Sequence, residues 1–273
     1  MPHTNRGRHE HGQNFLVDHR IIRRITSLVD DVPGPIVELG AGDGALTLPL
    51  VDSGRSVVAV EIDVSRAQRL ESRLRQRVVG QPSRARQSSS AVRVVVHDML
   101  DYRFTDPETV VVSNVPFHLT TALLRKLLAD RGWRHAVLLT QWEVARRRAG
   151  VGGASLMTAL WWPWFEFTVH ERVPARSFRP VPSVDGGLFT IVRRAHPLVD
   201  DRRDYQSFVK RVFTGPGRGL RGAARTAGRT SSAQLARWAR DNGLPSNALP
   251  RDLNAEQWAG LWRLCRADGP RPR

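Results

Sequence analysis

Ile36-Val37-Glu38-Leu39-Gly40-Ala41-Gly42-Asp43-Gly44 is the stretch on which the fold of this 273-residue chain turns. A short apolar strand runs into three alternating glycines, and Ala45 to Ser53 continues as a helix. A strand that passes through a glycine turn into a helix is the setting in which a nucleotide-like ligand is seated. Glycine permits the tight turn and lets the backbone approach the ligand closely.

The neighbouring segments extend this unit. Upstream, Asp18 to Asp30 carries Ile21, Ile22, Ile25, Leu28 and Val29 on one helical face, and Pro33-Gly34-Pro35 ends it. Downstream, strand Val57 to Ile62 is followed by a charged helix, Ser65 to Val79, and a polar loop, Gly80 to Ser90. Strands Val92–Val96, Thr109–Ser113 and Ala136–Thr140, helices Thr120–Ala129 and Trp142–Ala149, and strands Phe165–Val173 and Gly187–Val192 complete the alternation. Repeated strand–helix units predict an α/β fold, a Rossmann-like sheet with helices on both faces that closes near residue 195. Beyond it, Tyr205–Phe213, Ser232–Asp241 and Ala255–Ala267 read as helices with no strand between them. A glycine- and arginine-rich stretch, Gly215 to Arg229, reads as a flexible connector. The expected organisation is a flexible arm over 1–12, a catalytic domain over 13–195 and a small all-helical RNA-binding domain over 196–273.

Composition narrows the partner. The formal net charge is +16, from 42 Lys and Arg against 26 Asp and Glu. A field of that sign favours a polyanion. Lysine stands only at Lys126 and Lys210, so the cations are almost all arginine, which forks onto phosphates and stacks on bases. A single cysteine, Cys265, excludes an intramolecular disulfide and a thiolate zinc cluster, and no metal is expected. The run Leu156 to Phe167 is broken by Pro163 and Glu166, so no membrane span is expected. The reading is a cytoplasmic monomer.

The glycines follow G-x-G-x-G, not the G-x-G-x-x-G of dinucleotide folds, which favours the methionine and ribose portion of S-adenosylmethionine (SAM) over NAD. Gly40 and Gly42 are thus cofactor candidates. Glu61, ending the next strand, can accept from ribose hydroxyls, and Asp98, after the third, from an adenine amino group. Asn114-Val115-Pro116-Phe117 follows the fourth strand. The Asn114 side-chain oxygen and the Pro116 carbonyl can hold both hydrogens of an exocyclic amine, localising the nitrogen lone pair for methyl transfer. Phe117 offers a face for an unstacked base, an interaction worth about 1–3 kcal/mol. Gln13-Asn14-Phe15-Leu16 can fold over the cofactor, and the stiff basic loop Pro174 to Val184 can line a base pocket opposite Phe117. Candidate RNA contacts are Arg146, Arg176, Phe178 and Arg179, with Arg218, Arg221 and Arg225 made flexible by nearby glycines.

Taken together, Gln13-Asn14-Phe15-Leu16, Glu38 to Gly44, Glu61, Asp98, Asn114 to Phe117 and Phe178-Arg179-Pro180-Val181-Pro182 resemble the rRNA adenine N6-methyltransferases, and the Erm family in particular. The resemblance implies SAM contacts by Asn14, Leu16, Gly40, Glu61, Asp98 and Asn114, with Asn114 and Phe117 holding the target adenine. It implies transfer of one or two methyl groups to an adenine of 23S rRNA, naked or in early assembly, and resistance to macrolide, lincosamide and streptogramin B antibiotics. Many relatives carry tyrosine where Phe117 stands, so stacking is retained without the phenolic hydroxyl. The sister KsgA/Dim1-like family, which dimethylates small-subunit rRNA, shares the catalytic motifs. A non-catalytic nucleic-acid binder of the same fold is the other alternative.

Overall fold

The computed structural model describes residues 14–79, 92–215, 219–227 and 230–267. The arm over 1–12, the loop over 80–90 and Arg218 therefore lie outside the described residues. The chain forms two compact units, one of Met1–Ala145 with Thr168–Val192, the other of Arg146–Phe167 with Arg193–Arg273.

The first unit holds the glycine turn. Its strands are β1 (Phe15–Leu16), β2 (Ile36–Leu39), β3 (Val57–Glu61), β4 (Val92–Val96), β5 (Val110–Asn114) and β6 (His135–Gln141). They are followed by β7 (Phe165–Val173), β8 (Phe178–Arg179) and β9 (Gly186–Arg193). Seven of them form one sheet in the order β4-β3-β2-β5-β6-β9-β7. β2 pairs in parallel with β3 and β5, β3 with β4 and β5 with β6, whereas β9 runs antiparallel to β6. The order reverses between β2 and β5, so their carboxyl ends diverge and leave the crevice in which ligands of such sheets bind.

Burial explains the strands. Val110, Val111 and Val112 are wholly buried, as a parallel strand covered on both faces requires. Each such side chain contributes about 1.5–3 kcal/mol when withdrawn from water. Helix α1 (His19–Asp30) presents Ile21, Ile22, Ile25 and Val29 to one face of the sheet, in one core with Ile36, Val112 and Leu139. Asp18 caps it, accepting from the N–H groups of Arg20 and Ile21 at 2.9 and 3.4 Å. Helix α2 (Thr47–Val51) follows the glycine turn, and Leu50 joins the same core. Helix α3 (Val64–Val79) puts Leu70 against Ala41 and Ala59 in a separate cluster. Helix α4 (Thr120–Ala129) buries Leu123, Leu124, Leu127 and Leu128.

β1 and β8 form a separate antiparallel pair, Phe15 opposite Arg179 and Leu16 opposite Phe178. Sequence alone does not announce this ladder, since two-residue strands carry no readable period. Helix α5 (Trp142–Arg148) follows β6.

The second unit is helical around one core. Helices α6 (Leu156–Trp161), α7 (Arg202–Thr214), α8 (Gly219–Ala227), α9 (Ser232–Asp241) and α10 (Ala255–Ala267) supply it. Tyr205, Phe208, Leu235, Trp258 and Trp262 are its large members. The Tyr205 hydroxyl donates to the Ala159 carbonyl at 2.8 Å, and the Trp262 indole to Asp204 at 2.8 Å. Two expectations change here. The segment 146–167 belongs to this unit although its last three residues open β7, because Leu156, Leu160, Trp162 and Trp164 pack into the helical core. The supposed flexible connector contains α8, because Leu220, Ala223 and Ala224 form a buried stripe at helical spacing. Among the described residues, no helix is long and apolar enough to cross a membrane.

Candidate active site

A cavity of about 370 Å³ opens at the β2/β5 switch point. Asn14, Leu16, Gly40, Gly42, Glu61, Asp98, Asn114 and Pro116 all line it. Segments scattered from residue 14 to residue 116 thus converge on one space.

The turn after β2 needs its glycines. Gly40, Gly42 and Gly44 have φ of +76°, +54° and +87°, the left-handed region that side chains disfavour. A methyl group on Gly40 would stand 2.7 Å from Cε of Met99, and one on Gly44 2.5 Å from Cδ1 of Leu70. The Val60 carbonyl accepts from the N–H groups of Gly40 and Ala41 at 2.8 and 3.0 Å.

Glu61 is buried at the end of β3. Its Oε2 accepts the Gly42 N–H at 2.7 Å and its Oε1 the Asp63 N–H at 2.9 Å. Each carboxylate oxygen has a further lone pair free for a ligand hydroxyl. Asp98 lies two residues beyond β4, where its Oδ1 accepts the Leu100 N–H at 2.8 Å and Oδ2 is left for an amine.

Asn114 ends β5 half-buried and turned into the cavity. Its Nδ2 donates to the Asn14 carbonyl at 2.9 Å. A carbonyl can only accept, so this bond fixes the carboxamide orientation and leaves Oδ1 free as an acceptor. The Pro116 carbonyl accepts the Leu119 N–H at 2.8 Å in a 3-10 turn over Phe117–Leu119, keeping one lone pair. Two acceptors beside one cavity can hold the two hydrogens of an amine.

Phe117 is half-buried and not part of the cavity lining; its ring meets Phe178 edge-on at 6.4 Å. Phe178 itself is wholly buried in the core with Leu16, Val173 and Leu188. The reading of Phe178 as an RNA contact is therefore revised: no face is open to a nucleotide, and the ring acts by supporting Phe117. Arg176 and Arg179 are exposed on the adjoining loop, Arg179 donating to the Arg176 and Phe178 carbonyls at 3.1 and 2.9 Å.

In the helical unit, Arg146 is half-buried and reaches the Val151 carbonyl at 3.4 Å. Arg221 and Arg225 are exposed one turn apart on α8, Arg221 donating to the Ser246 carbonyl at 3.1 Å. They stand on a rigid helix and not on the mobile tether that the glycines suggested.

Sequence reading passed over several lining residues. Glu38 is buried within β2 and lines the cavity. Burial pushes its carboxyl up to about 8, opposed by the Thr47 hydroxyl that donates to it and reinforced by Glu61. Burial thus favours its protonated form. The available signal was a charged residue inside an otherwise apolar strand. Arg73, which donates to the Asp43 carbonyl, and the exposed His118 also line the cavity.

Glu61, Asp98, Asn114 and Pro116 line one cavity beside the glycine turn, and the family model for ribosomal RNA adenine dimethylases matches residues 4–262. The chain belongs to that family. This rRNA adenine methyltransferase is 50% identical over 269 residues to the mycinamicin-resistance protein MyrB of Micromonospora griseorubida, covering 97% of this chain and 81% of that one. It is 49% identical over 216 residues to an rRNA adenine N-6-methyltransferase of Corynebacterium diphtheriae, covering 78% and 80%. The crystal structure of the 23S rRNA methyltransferase ErmE superposes with a TM-score of 0.80 at 29% identity, over 92% of this chain and 99% of that one.

Proposed function

We propose that this enzyme methylates N6 of an adenine in 23S rRNA with SAM as donor, and thereby confers resistance to macrolide, lincosamide and streptogramin B antibiotics. The observation that carries the reading is that Asn114, whose carboxamide is oriented by the Asn14 carbonyl, and Pro116 both line the cavity beside the glycine turn. The 50% identity with a mycinamicin-resistance protein supports the resistance role, and the likeness to a 23S rRNA methyltransferase supports the large-subunit substrate over the small-subunit alternative.

SAM supplies an electrophilic methyl group on a sulfonium. The cavity fits it: its volume suits a nucleoside with an amino-acid tail, and Glu61 would accept from the ribose hydroxyls and Asp98 from the adenine amino group, both lining the cavity. Backbone at Gly40 and Gly42 would hold the tail, and Asn14 and Leu16, which line the same cavity, would help to enclose it. The target adenine leaves its stack, and Phe117, braced by Phe178, takes its face. Asn114 Oδ1 and the Pro116 carbonyl would accept the two amino hydrogens and so localise the nitrogen lone pair for attack. No base is needed before attack; positioning is the enzyme's main contribution. Arg176 and Arg179 of the first unit and Arg221 and Arg225 of the helical unit, all exposed, would supply cations for RNA phosphates, and half-buried Arg146 is the remaining candidate. The enzyme works as a cytoplasmic monomer on naked or early-assembly large-subunit RNA, in keeping with the excess positive charge.

Primer extension across purified 23S and 16S rRNA after incubation with labelled SAM tests this. The expected result is a methylation-dependent stop in 23S rRNA alone, with raised macrolide tolerance in a sensitive host. A stop confined to 16S rRNA would establish the small-subunit alternative, and retained RNA binding without methyl transfer the non-catalytic one.

A further inference from the structure

Arg66 lies in the first turn of α3, outside every motif read from the sequence. Its guanidinium sits 4.6 Å from the centre of the Phe15 ring. Its Nη1 is withdrawn from water and has no hydrogen-bond partner. A desolvated, unpartnered guanidinium nitrogen is costly, and the π face of Phe15 provides the compensating field. The other neighbour of that ring is the glycine turn, since a methyl group on Gly42 would stand 3.5 Å from Phe15 Cε1.

These contacts close into a ring. Gly42 donates to Glu61 at 2.7 Å, and Glu61 accepts from Asp63 at 2.9 Å. Asp63 accepts the Arg66 N–H at 3.0 Å, and Arg66 returns to Phe15 and so to Gly42. The residue before Phe15 is Asn14, whose carbonyl orients Asn114.

We propose that Arg66 is a positioning residue for methyl transfer: by clamping Phe15 against Gly42 it fixes the Asn14 carbonyl and, through it, the Asn114 carboxamide. The role rests on the function proposed above. Arg66 touches neither transferred methyl nor target base; it sets where the acceptor oxygen points.

The test uses full-length protein with Arg66→Gln, Arg66→Lys, Phe15→Leu and the Arg66→Gln/Phe15→Leu double variant. In ligand-free protein, Arg66→Gln should speed amide exchange across residues 14–17 by about 5- to 30-fold, the change expected for loss of a desolvated cation–π contact. In single-turnover methylation, Arg66→Gln should slow the rate about tenfold or more while the KM for RNA stays within about twofold, since misorientation costs turnover and not encounter. Arg66→Lys, which keeps the cation, should restore most of both, and Arg66→Gln should add little on the Phe15→Leu background. Unchanged exchange, or fully additive losses, would overturn the clamp. A wild-type enzyme that methylates no rRNA would instead defeat the functional reading, and the exchange arm would still judge the clamp.

Discussion

Glu61 Oε2 and the Gly42 N–H are joined by a 2.7 Å hydrogen bond, so the residue proposed to hold the cofactor ribose also pins the glycine turn proposed to receive its tail. The two halves of the cofactor site are therefore one mechanical piece. Glu61→Ala should weaken binding of S-adenosylhomocysteine about 10- to 100-fold, as expected when hydrogen bonds to a charged group are lost. Calorimetric titration measures this. A defect confined to turnover at saturating SAM would refute the ribose assignment.

Asn114→Ala removes the acceptor for the target amine and the donor to Asn14 together. We expect turnover to fall by about 100-fold or more, with RNA affinity within about twofold, because the side chain acts on the reacting nitrogen and not on the phosphates. Filter binding and single-turnover methylation separate the two. Equal losses in both would contradict the assigned role.

Gly44→Ala tests the turn itself. The new methyl group would meet Leu70 Cδ1 at 2.5 Å, at a φ of +87°. Left-handed backbone and overpacking together should cost about 2–4 kcal/mol of stability. Urea denaturation reads this directly.

Glu38 makes stability depend on pH. Its folded pKa of about 8 lies above the ordinary value of 4.5, so between these limits the folded state holds a proton that the unfolded chain has released. The contribution is fully present below about 4.5 and is lost as pH rises through about 8. The slope from this one group cannot exceed about 1.4 kcal/mol per pH unit. Glu38→Gln, which is neutral at every pH, should flatten that decline in denaturation midpoints taken across the window. An unaltered slope would show that Glu38 ionises freely in the folded protein.

Arg221 and Arg225 share an exposed face of α8. Replacing both by Ala should weaken RNA binding evenly across sequences and reduce the slope of log affinity against log salt by about 1–2. An unchanged slope would remove α8 from the RNA surface.

The sheet was legible because its signals are local. Ile36 to Gly44 states a strand, a turn and a helix start within nine residues, and the valines of β3, β4 and β5 each read as short strands. Glu61, Asp98 and Asn114 line the cavity from strand ends or just beyond them, so reading the strands led to all three. What stayed hidden depends on distant partners. β1 and β8 define each other only across the fold. α8 was masked by glycines and arginines whose stripe of Leu220, Ala223 and Ala224 matters only against the helical core. Phe178 looked like a surface aromatic in a basic loop, and only packing against Phe117 and Leu188 shows it to be core. Glu38 looked like the edge of a motif until burial gave it a raised pKa.

The tie between the two ends of the first unit also sets a timetable for its birth. Asp18, next to β1, accepts a hydrogen bond from Ser177, next to β8, and 159 positions separate them. At translation rates of about 5–20 residues per second, the segment that closes the cofactor floor waits roughly 8–30 s for its partner to be made. Until then the nascent polypeptide has its glycine turn but lacks the β1–β8 pair, so the cavity is completed only after most of the first unit has been synthesised.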